Sequence, residues 1–480
     1  MAVSTTLAGP DTTVRLRPQL TAAGLITVLL GGAFAPLDLN IVNVALPTVG
    51  ASLGASTTTL EWVVAAYSIA FALLLVVGGR LGDAMGRRRL FTVGLAAFTL
   101  TSLICGLAPD ITSLVLARAA QGAAAALMIP QVLSIIQATT AGERRALALG
   151  YYGATGGISM AAGQVLGAVL VSANLAGAGW RPIFLVNVPI GIVGVLLARR
   201  TLPETKATDP LGVDRLGTGL LGLAVLTLLV PLLEGRTLGW PVWCWMLLGL
   251  APVAAVVFVA TERRVERRAD GVTPLLPLSV LRMPTMRRGL AIAVPFFAGF
   301  GGFLFVYAIA LQDGLHLTPF VCGLALSPMA VGFLVSSLLS SGLVARFGHW
   351  VVIAGGATQF VGLAALAGAI LAAWPDLTVL DLAPGTLLAG AGQGLIAPTL
   401  YRVTLSKVPS GVIGVGSGML VTTQQVSFAF GVAILGSLFV GLSGPGSLGM
   451  GGALVLVVLV QCVLAVGITV LARGLPDPRS

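Results

Sequence analysis

The chain has 480 residues, of which 57% are hydrophobic and 9% charged, and its mean hydropathy is +1.01, too apolar for a water-soluble globular protein. Its net charge of +10 would suit nucleic acid. The basic residues, however, stand between apolar runs rather than on one soluble face, which excludes that partner and reads as membrane topology.

Residues 1–20 are polar, carry Arg15 and Arg17, and are expected to form a cytoplasmic tail. Fourteen apolar runs follow, each long enough to cross ~30 Å of hydrocarbon as a helix, the form that satisfies its own backbone in lipid. The first begins near Ala22 and carries Asp38. Within it Ala33, Phe34 and Ala35 imitate a signal-peptidase site, but Pro36 follows and the run continues, so an uncleaved helix is expected. The second begins near Leu60, where Thr58-Thr-Leu-Glu61 fits a capping box and assigns Glu61 to the helix's first turn. The third and fourth begin near Leu90 and Ile111; the fourth carries Arg118, with Gln121, Gly122 and Ala125 on the same helical face. The fifth, from about Ala146, repeats Ser159, Gly163 and Gly167 at four-residue spacing, a small-residue face suited to close helix packing. The sixth begins near Pro182 and ends by Arg199 and Arg200.

Two further runs, about Leu216 to Leu233 and Pro241 to Ala260, precede the charged stretch Thr261 to Arg268. After Arg287 and Arg288 a second block of six begins, with runs starting near Gly289, Pro319, Trp350, Thr378, Gly411 and Gly451. Its first run stacks Phe296, Phe300, Phe303 and Tyr307 on one face, either a packing stripe or a wall for a flat apolar ligand. Gln393, Gln424 and Gln425 add polar groups to this block, which has no acid deep in a helix; a multiply charged cationic substrate is therefore disfavoured. The expected fold is an all-α integral membrane protein of fourteen transmembrane helices. It comprises a six-helix bundle at 21–200, a linker with two inserted helices at 201–287, a second six-helix bundle at 288–473 and a cytoplasmic tail at 474–480.

Two internal echoes support that division. Gly79-Arg-Leu-Gly-Asp-Ala-Met-Gly-Arg87 resembles Ser341-Gly-Leu-Val-Ala-Arg-Phe-Gly-His349, 262 residues on, and Gln121-Gly122 recurs as Gln393-Gly394, as in transporters built from parallel repeats. Of the 27 Lys and Arg, only Arg181 and Arg236 are placed outside and Arg118 within the membrane. All others fall in segments read as cytoplasmic, which puts both termini inside. With lysine only at 206 and 407 against many arginines, and with abundant Ala and Gly, the composition suggests a bacterial source.

Ionisable groups in hydrocarbon normally face a cavity or a partner. Asp38 and Arg118 lie at similar depth, ~10–12 Å below the outer surface at 1.5 Å per residue, and are expected to pair. The pair is read either as a proton-coupling site or as a structural ion pair. The four cysteines, Cys105, Cys244, Cys322 and Cys462, lie in four different runs without metal-ligand spacing; they are assigned to packing, and neither metal nor cofactor is expected. No phosphate-binding Gly-x-x-x-x-Gly-Lys-Ser/Thr loop is present, against an ATP-driven pump. The two histidines, His316 and His349, fall in loops on opposite faces, which leaves an enzyme without a catalytic cluster.

Gly78-Gly-Arg-Leu-Gly-Asp-Ala-Met-Gly-Arg-Arg-Arg-Leu90 resembles the signature loop between helices two and three of the major facilitator superfamily. The resemblance implies a gating role for Gly79, Arg80, Gly82, Asp83, Gly86 and Arg87. Asp38-Leu-Asn-Ile-Val-Asn-Val-Ala-Leu-Pro47, Trp62 with Tyr67, Trp180-Arg-Pro-Ile-Phe-Leu-Val-Asn-Val-Pro-Ile-Gly191 and Gly416-Ser-Gly418 with Gln424 and Gln425 are similar to motifs of its fourteen-helix drug:proton antiporter family. One departure is Gln164, which stands where that family's fifth-helix motif has proline. The expected function is proton-coupled export of a small amphipathic molecule by a monomer in a bacterial cell membrane, in contact with lipid, protons and substrate. Asp38 and Arg118 would couple the proton. Gln121, Phe296, Phe300, Phe303, Tyr307, Gln393, Gln424 and Gln425 would line the substrate path. A symporter, an uncoupled facilitator and a non-transporting receptor on the same fold remain alternatives.

Overall fold

A computed structural model describes residues 19–207, 212, 214–267, 274–408, 413–444 and 446–475. The N-terminal tail up to residue 18, the last residues 476–480, and Arg15 and Arg17 lie outside the described residues. Among those described, fourteen helices are long and apolar enough to cross a membrane. They are α1 (Ala22–Leu53), α2 (Thr57–Met85), α3 (Arg87–Gly106), α4 (Ile111–Thr139), α5 (Gly142–Ala173), α6 (Pro182–Thr201), α7 (Arg215–Glu234), α8 (Val242–Arg267), α9 (Pro284–Gly314), α10 (Pro319–Phe347), α11 (Trp350–Ala373), α12 (Val379–Leu405), α13 (Val415–Leu442) and α14 (Gly449–Ala472).

Local chemistry sets the helix ends. Thr21, Asp110, Asp214 and Thr378 each turn a side-chain oxygen onto a free N–H of the first turn, where helices have unpaired donors. α2 ends on Gly86 at φ 110° and α10 on Gly348 at φ 60°, a backbone region that favours glycine. These two glycines occupy matching positions of the first sequence echo, so the repeat is also a repeat of helix termination.

Helix packing in lipid lacks a hydrophobic drive between helices and relies on close backbone approach. α4 meets α2 at Gly122, whose missing side chain would strike the carbonyl of Tyr67, and α12 meets α10 at Gly394 against the carbonyl of Phe333. The second echo thus places the same contact in each six-helix block. Gly163 and Gly167 of α5 face the carbonyls of Leu37 and Ile41 on α1, where an added Cβ would lie 2.6 and 2.8 Å away; Ser159 of the same face is buried. Across the two blocks α2 packs on α13 and α5 on α10. α7 and α8 pack on each other, and an apolar cluster of Val225, Leu229 and Leu233 seats α7 against Ala65 and Ile69 of α2 and Ala429 and Ala433 of α13.

One expectation is corrected. α2 starts at Thr57, three residues before the apolar run, with Ser56 as its cap. Glu61 is therefore two residues beyond the capping-box position, which Thr59 takes; it is 1% exposed, its Oε2 has no partner among the described residues, and its Oε1 lies toward Gly436 of α13.

Gly122→Ala is expected to lower stability by about 1–3 kcal/mol, since the new methyl must push α4 off α2. Gly150→Ala, at a helical position with open space, should be neutral or stabilising by about 0.4–1 kcal/mol. Thermal unfolding of the two purified variants checks the difference.

Candidate functional site

Three features converge on the first block. The first is a buried polar centre. Asp38 of α1 and Arg118 of α4 are both 0% exposed and form an ion pair through Asp38 Oδ2. Gln121, one turn from Arg118, accepts from the guanidinium at 2.6 Å and donates its amide to Asp38 Oδ1 at 2.9 Å and to Ser102 Oγ of α3 at 2.8 Å. Asn187 of α6 donates to Asp38 Oδ1 at 3.3 Å. Arg118 Nε donates to the carbonyl of Val63 at 3.1 Å, and the guanidinium lies 4.3 Å from the centre of the Tyr67 ring, a cation–π contact. Five helices thus contribute to one charge pair, and this network offsets the cost of taking two charges out of water.

The second feature is a cavity of about 490 Å³ between the two blocks. α1 lines it with Gly32, Pro36, Leu39, Asn40 and Asn43, a stripe at three- and four-residue spacing; Asp38 projects from the other side of the same helix. The opposite wall is aromatic, with Phe296, Phe297 and Phe300 of α9 and Phe428 of α13. Phe297 and Phe428 meet edge to face at 5.6 Å. Gln424 and Gln425 also line the cavity, and Gln424 accepts from the Tyr401 hydroxyl at 2.5 Å. None of the lining residues carries a charged side chain. The cavity extends through Tyr152, Leu405 and Ser417 toward the end that holds the α2–α3 and α4–α5 turns. At the other end Gln312 of α9 donates to the carbonyl of Val44 on α1 at 2.9 Å, bridging the blocks.

Four residues expected on the substrate path lie elsewhere. Phe303 and Tyr307 continue the α9 stripe past the cavity into the closed end, where their rings stack 5.0 Å apart at 2% and 0% exposure. Gln121 is consumed by the ion-pair network. Gln393 is buried on α12, away from the cavity wall, with its Oε1 unpartnered. Ser102, Tyr67 and Asn187 were not singled out as site residues. Asn187 stands within the Trp180–Gly191 motif and Tyr67 in the α2 pair, whereas Ser102 is an ordinary hydroxyl in an apolar run and gives no signal.

The third feature is the signature loop. Arg87 pairs with Asp83 at 2.8 Å, within the loop itself rather than across to the second block. Gly82 lies against the Gln131 amide of α4, and Gly79 makes ordinary contact with Pro130. The chain after α6 is laid along this loop. Arg87 N–H donates to Thr205 O at 2.9 Å, Ala207 N–H to Asp83 O at 3.1 Å, and Arg88 N–H to the Glu204 carboxylate at 3.1 Å. Arg80 donates to the carbonyls of Gly212 and Pro274, the first at 2.7 Å. The loop is thus fastened to the linker flanking the inserted helices, a partner the sequence does not reveal.

Two bundles of six membrane helices around a central cavity, with an inserted pair, define a multi-pass membrane transporter and not an enzyme. Residues 28–432 match the Major Facilitator Superfamily, and the chain belongs to it. It is 38% identical over 91% of its length to a probable actinorhodin transporter of Streptomyces coelicolor, covering 76% of that protein. It is 34% identical over 90% of its length to a cephamycin export protein of Amycolatopsis lactamdurans, covering 88% of it, and 35% identical over 87% to a puromycin resistance protein of Streptomyces alboniger, covering 82%. The crystal structure of a D-xylose–proton symporter shares the fold at 15% identity with a TM-score of 0.68, over 95% of this chain and 98% of that one.

Arg118→Met leaves the Asp38 carboxyl without its cation and is expected to cost about 3–5 kcal/mol. Combining it with Asp38→Asn should recover part of that loss, because no lone charge then stays buried. Melting curves of the single and double variants check the order.

Proposed function

We propose that the chain exports a small amphipathic molecule across a bacterial cytoplasmic membrane in exchange for protons, acting as a monomer with both termini in the cytoplasm. The observation that carries this reading is the position of α1, which turns a buried carboxylate–guanidinium pair to one side and the wall of a ligand-sized cavity to the other. A proton that loads Asp38 removes its charge and weakens the hold of Arg118. Any resulting shift of α1 moves Asn40, Leu39 and Pro36 at the cavity, and the coupling is reciprocal, since substrate that displaces α1 disturbs the pair. The basic residues flanking the helices favour a cytoplasmic α2–α3 turn, which would turn the cavity to the side from which an exporter loads. Its uncharged, partly aromatic lining fits a flat amphipathic cargo with few polar groups. Its relatives, a probable actinorhodin transporter, a cephamycin export protein and a puromycin resistance protein, favour outward transport.

The test is transport by Asp38→Asn in reconstituted vesicles with an imposed pH gradient. The variant is expected to equilibrate substrate without concentrating it; accumulation as steep as the parent's would remove Asp38 as the coupling residue.

Phe296→Ala with Phe300→Ala should change which compounds are exported, by about 10-fold or more for the largest aromatic ones. Phe303→Ala should lower protein stability and leave the ranking of substrates as it was. Efflux assays on a panel of dyes and antibiotics separate the two outcomes.

A further inference from the structure

The inserted helices carry two buried acids that the transport reading does not use. Asp214 caps α7, accepting from Gly217 N–H through Oδ1 at 2.7 Å, and Glu262, near the end of α8, accepts from Leu276 N–H through Oε2 at 2.7 Å. They are 5% and 0% exposed, and among the described residues no group donates to the second oxygen of each, Asp214 Oδ2 and Glu262 Oε1. Both spare oxygens converge on Gly217, where an added Cβ would lie 2.4 Å from Glu262 Oε1 and 2.5 Å from Asp214 Oδ2. Two carboxylate oxygens are both acceptors, so oxygens brought this close repel unless one of them carries a proton.

The charged groups around this pair have distinct positions. Arg80 faces it from α2 and donates to the carbonyls of Gly212 and Pro274, which flank the pair in sequence. On α7 and α8 themselves Arg215, Arg263 and Glu266 are exposed, and Glu266 accepts from Ser279 N–H at 2.8 Å. One face of the site is thus the signature-loop arginine, and the other is the joint between the two inserted helices.

We propose that Asp214 and Glu262 form a proton-binding site at the base of the inserted helix pair. A proton held between them clasps the pair and its flanking segments onto the signature loop. Emptying the site releases that clasp. The balance is simple: one proton leaves to water, no bond other than O–H changes, and two like charges then face each other across Gly217 beside Arg80. Repulsion between buried like charges in contact is large compared with the few hydrogen bonds that hold the strap. The strap, residues 202–207 with Leu276, is the segment that loosens.

Hydrogen–deuterium exchange of the full chain in lipid nanodiscs tests this at three amides, Arg87, Ala207 and Leu276. In the parent, protection corrected for the intrinsic rate should fall about 10-fold or more between about pH 6 and about pH 9. Glu262→Gln preserves the shape, cannot ionise and donates its amide to Asp214; its protection should stay flat over the same range. Asp214→Asn, which keeps the capping oxygen, should behave alike and serves if the first variant folds poorly. An equal fall in parent and variants, no fall in the parent, or protection lost at every pH in both variants each overturns the proposal. So does recovery of the parent's protection at about pH 9 on adding calcium chloride, which would make the pair a cation site.

Discussion

An aspartate and an arginine held away from water impose the strongest constraint on this fold. Moving either charge out of solvent costs several kcal/mol even after relaxation, and the attraction between them repays it only when surrounding dipoles complete the site. Here completion draws on α1, α2, α3, α4 and α6 together. A network of that reach holds only if those five helices keep their relative places. Motion is left to the surfaces where the blocks meet, α2 on α13, α5 on α10 and α1 on α9. Those surfaces carry polar bonds from Gln312 to the carbonyl of Val44 at the closed end and from Thr422 of α13 to the carbonyl of Ala72 on α2 at 3.4 Å, together with small residues such as Gly323 against Ala168. Few directional bonds must break for them to part.

α5 bears on that motion through Gln164. Where the related family's motif has proline, α5 runs unbroken from Gly142 to Ala173, because glutamine keeps the backbone N–H that proline would remove. The gain in helix continuity has a counterpart: Gln164 is 1% exposed, and neither end of its amide has a partner. A buried unpaired amide costs about 1–3 kcal/mol. The backbone carbonyl of Gln164 lies against Gly323 of α10, so the residue stands where α5 meets the second block.

The helices were legible because lipid forces a single solution on the backbone, and start positions read from hydropathy agree with the structure within a few residues. The Asp38–Arg118 contact was legible from depth alone, since two opposite charges at one level of an apolar bundle have few other partners. Legibility fails where a role depends on which way a side chain points at the scale of one turn. The α9 stripe is a single face by spacing, yet the cavity ends after Phe300, so Phe303 and Tyr307 fall in packed protein. Glu61 was misplaced by a three-residue shift in the start of α2. Asp214 and Glu262 lie 48 residues apart in the sequence, each with an ordinary local reading, a helix cap and a charged helix end; only the tertiary packing of α7 on α8 brings their carboxyls together.

The inserted pair also has to choose a side, because α7 packs against both α2 and α13, the surface along which the blocks separate. Its apolar contacts do not decide the matter, as Val225, Leu229 and Leu233 touch small residues of both helices and can slide over either. Its polar contacts do. At the outer end Trp62 donates to Glu234 at 2.6 Å and Thr58 bonds Thr237 at 2.7 Å; at the inner end Arg80 holds the segments that flank the pair. All three groups belong to α2, whereas α13 offers Ser437 to the carbonyl of Leu232 at 3.2 Å. Directional bonds at both ends of one helix and a single longer one to the other fix α7 and α8 to the first block. The face of α7 toward α13 is apolar and carries fewer hydrogen bonds than its face toward α2.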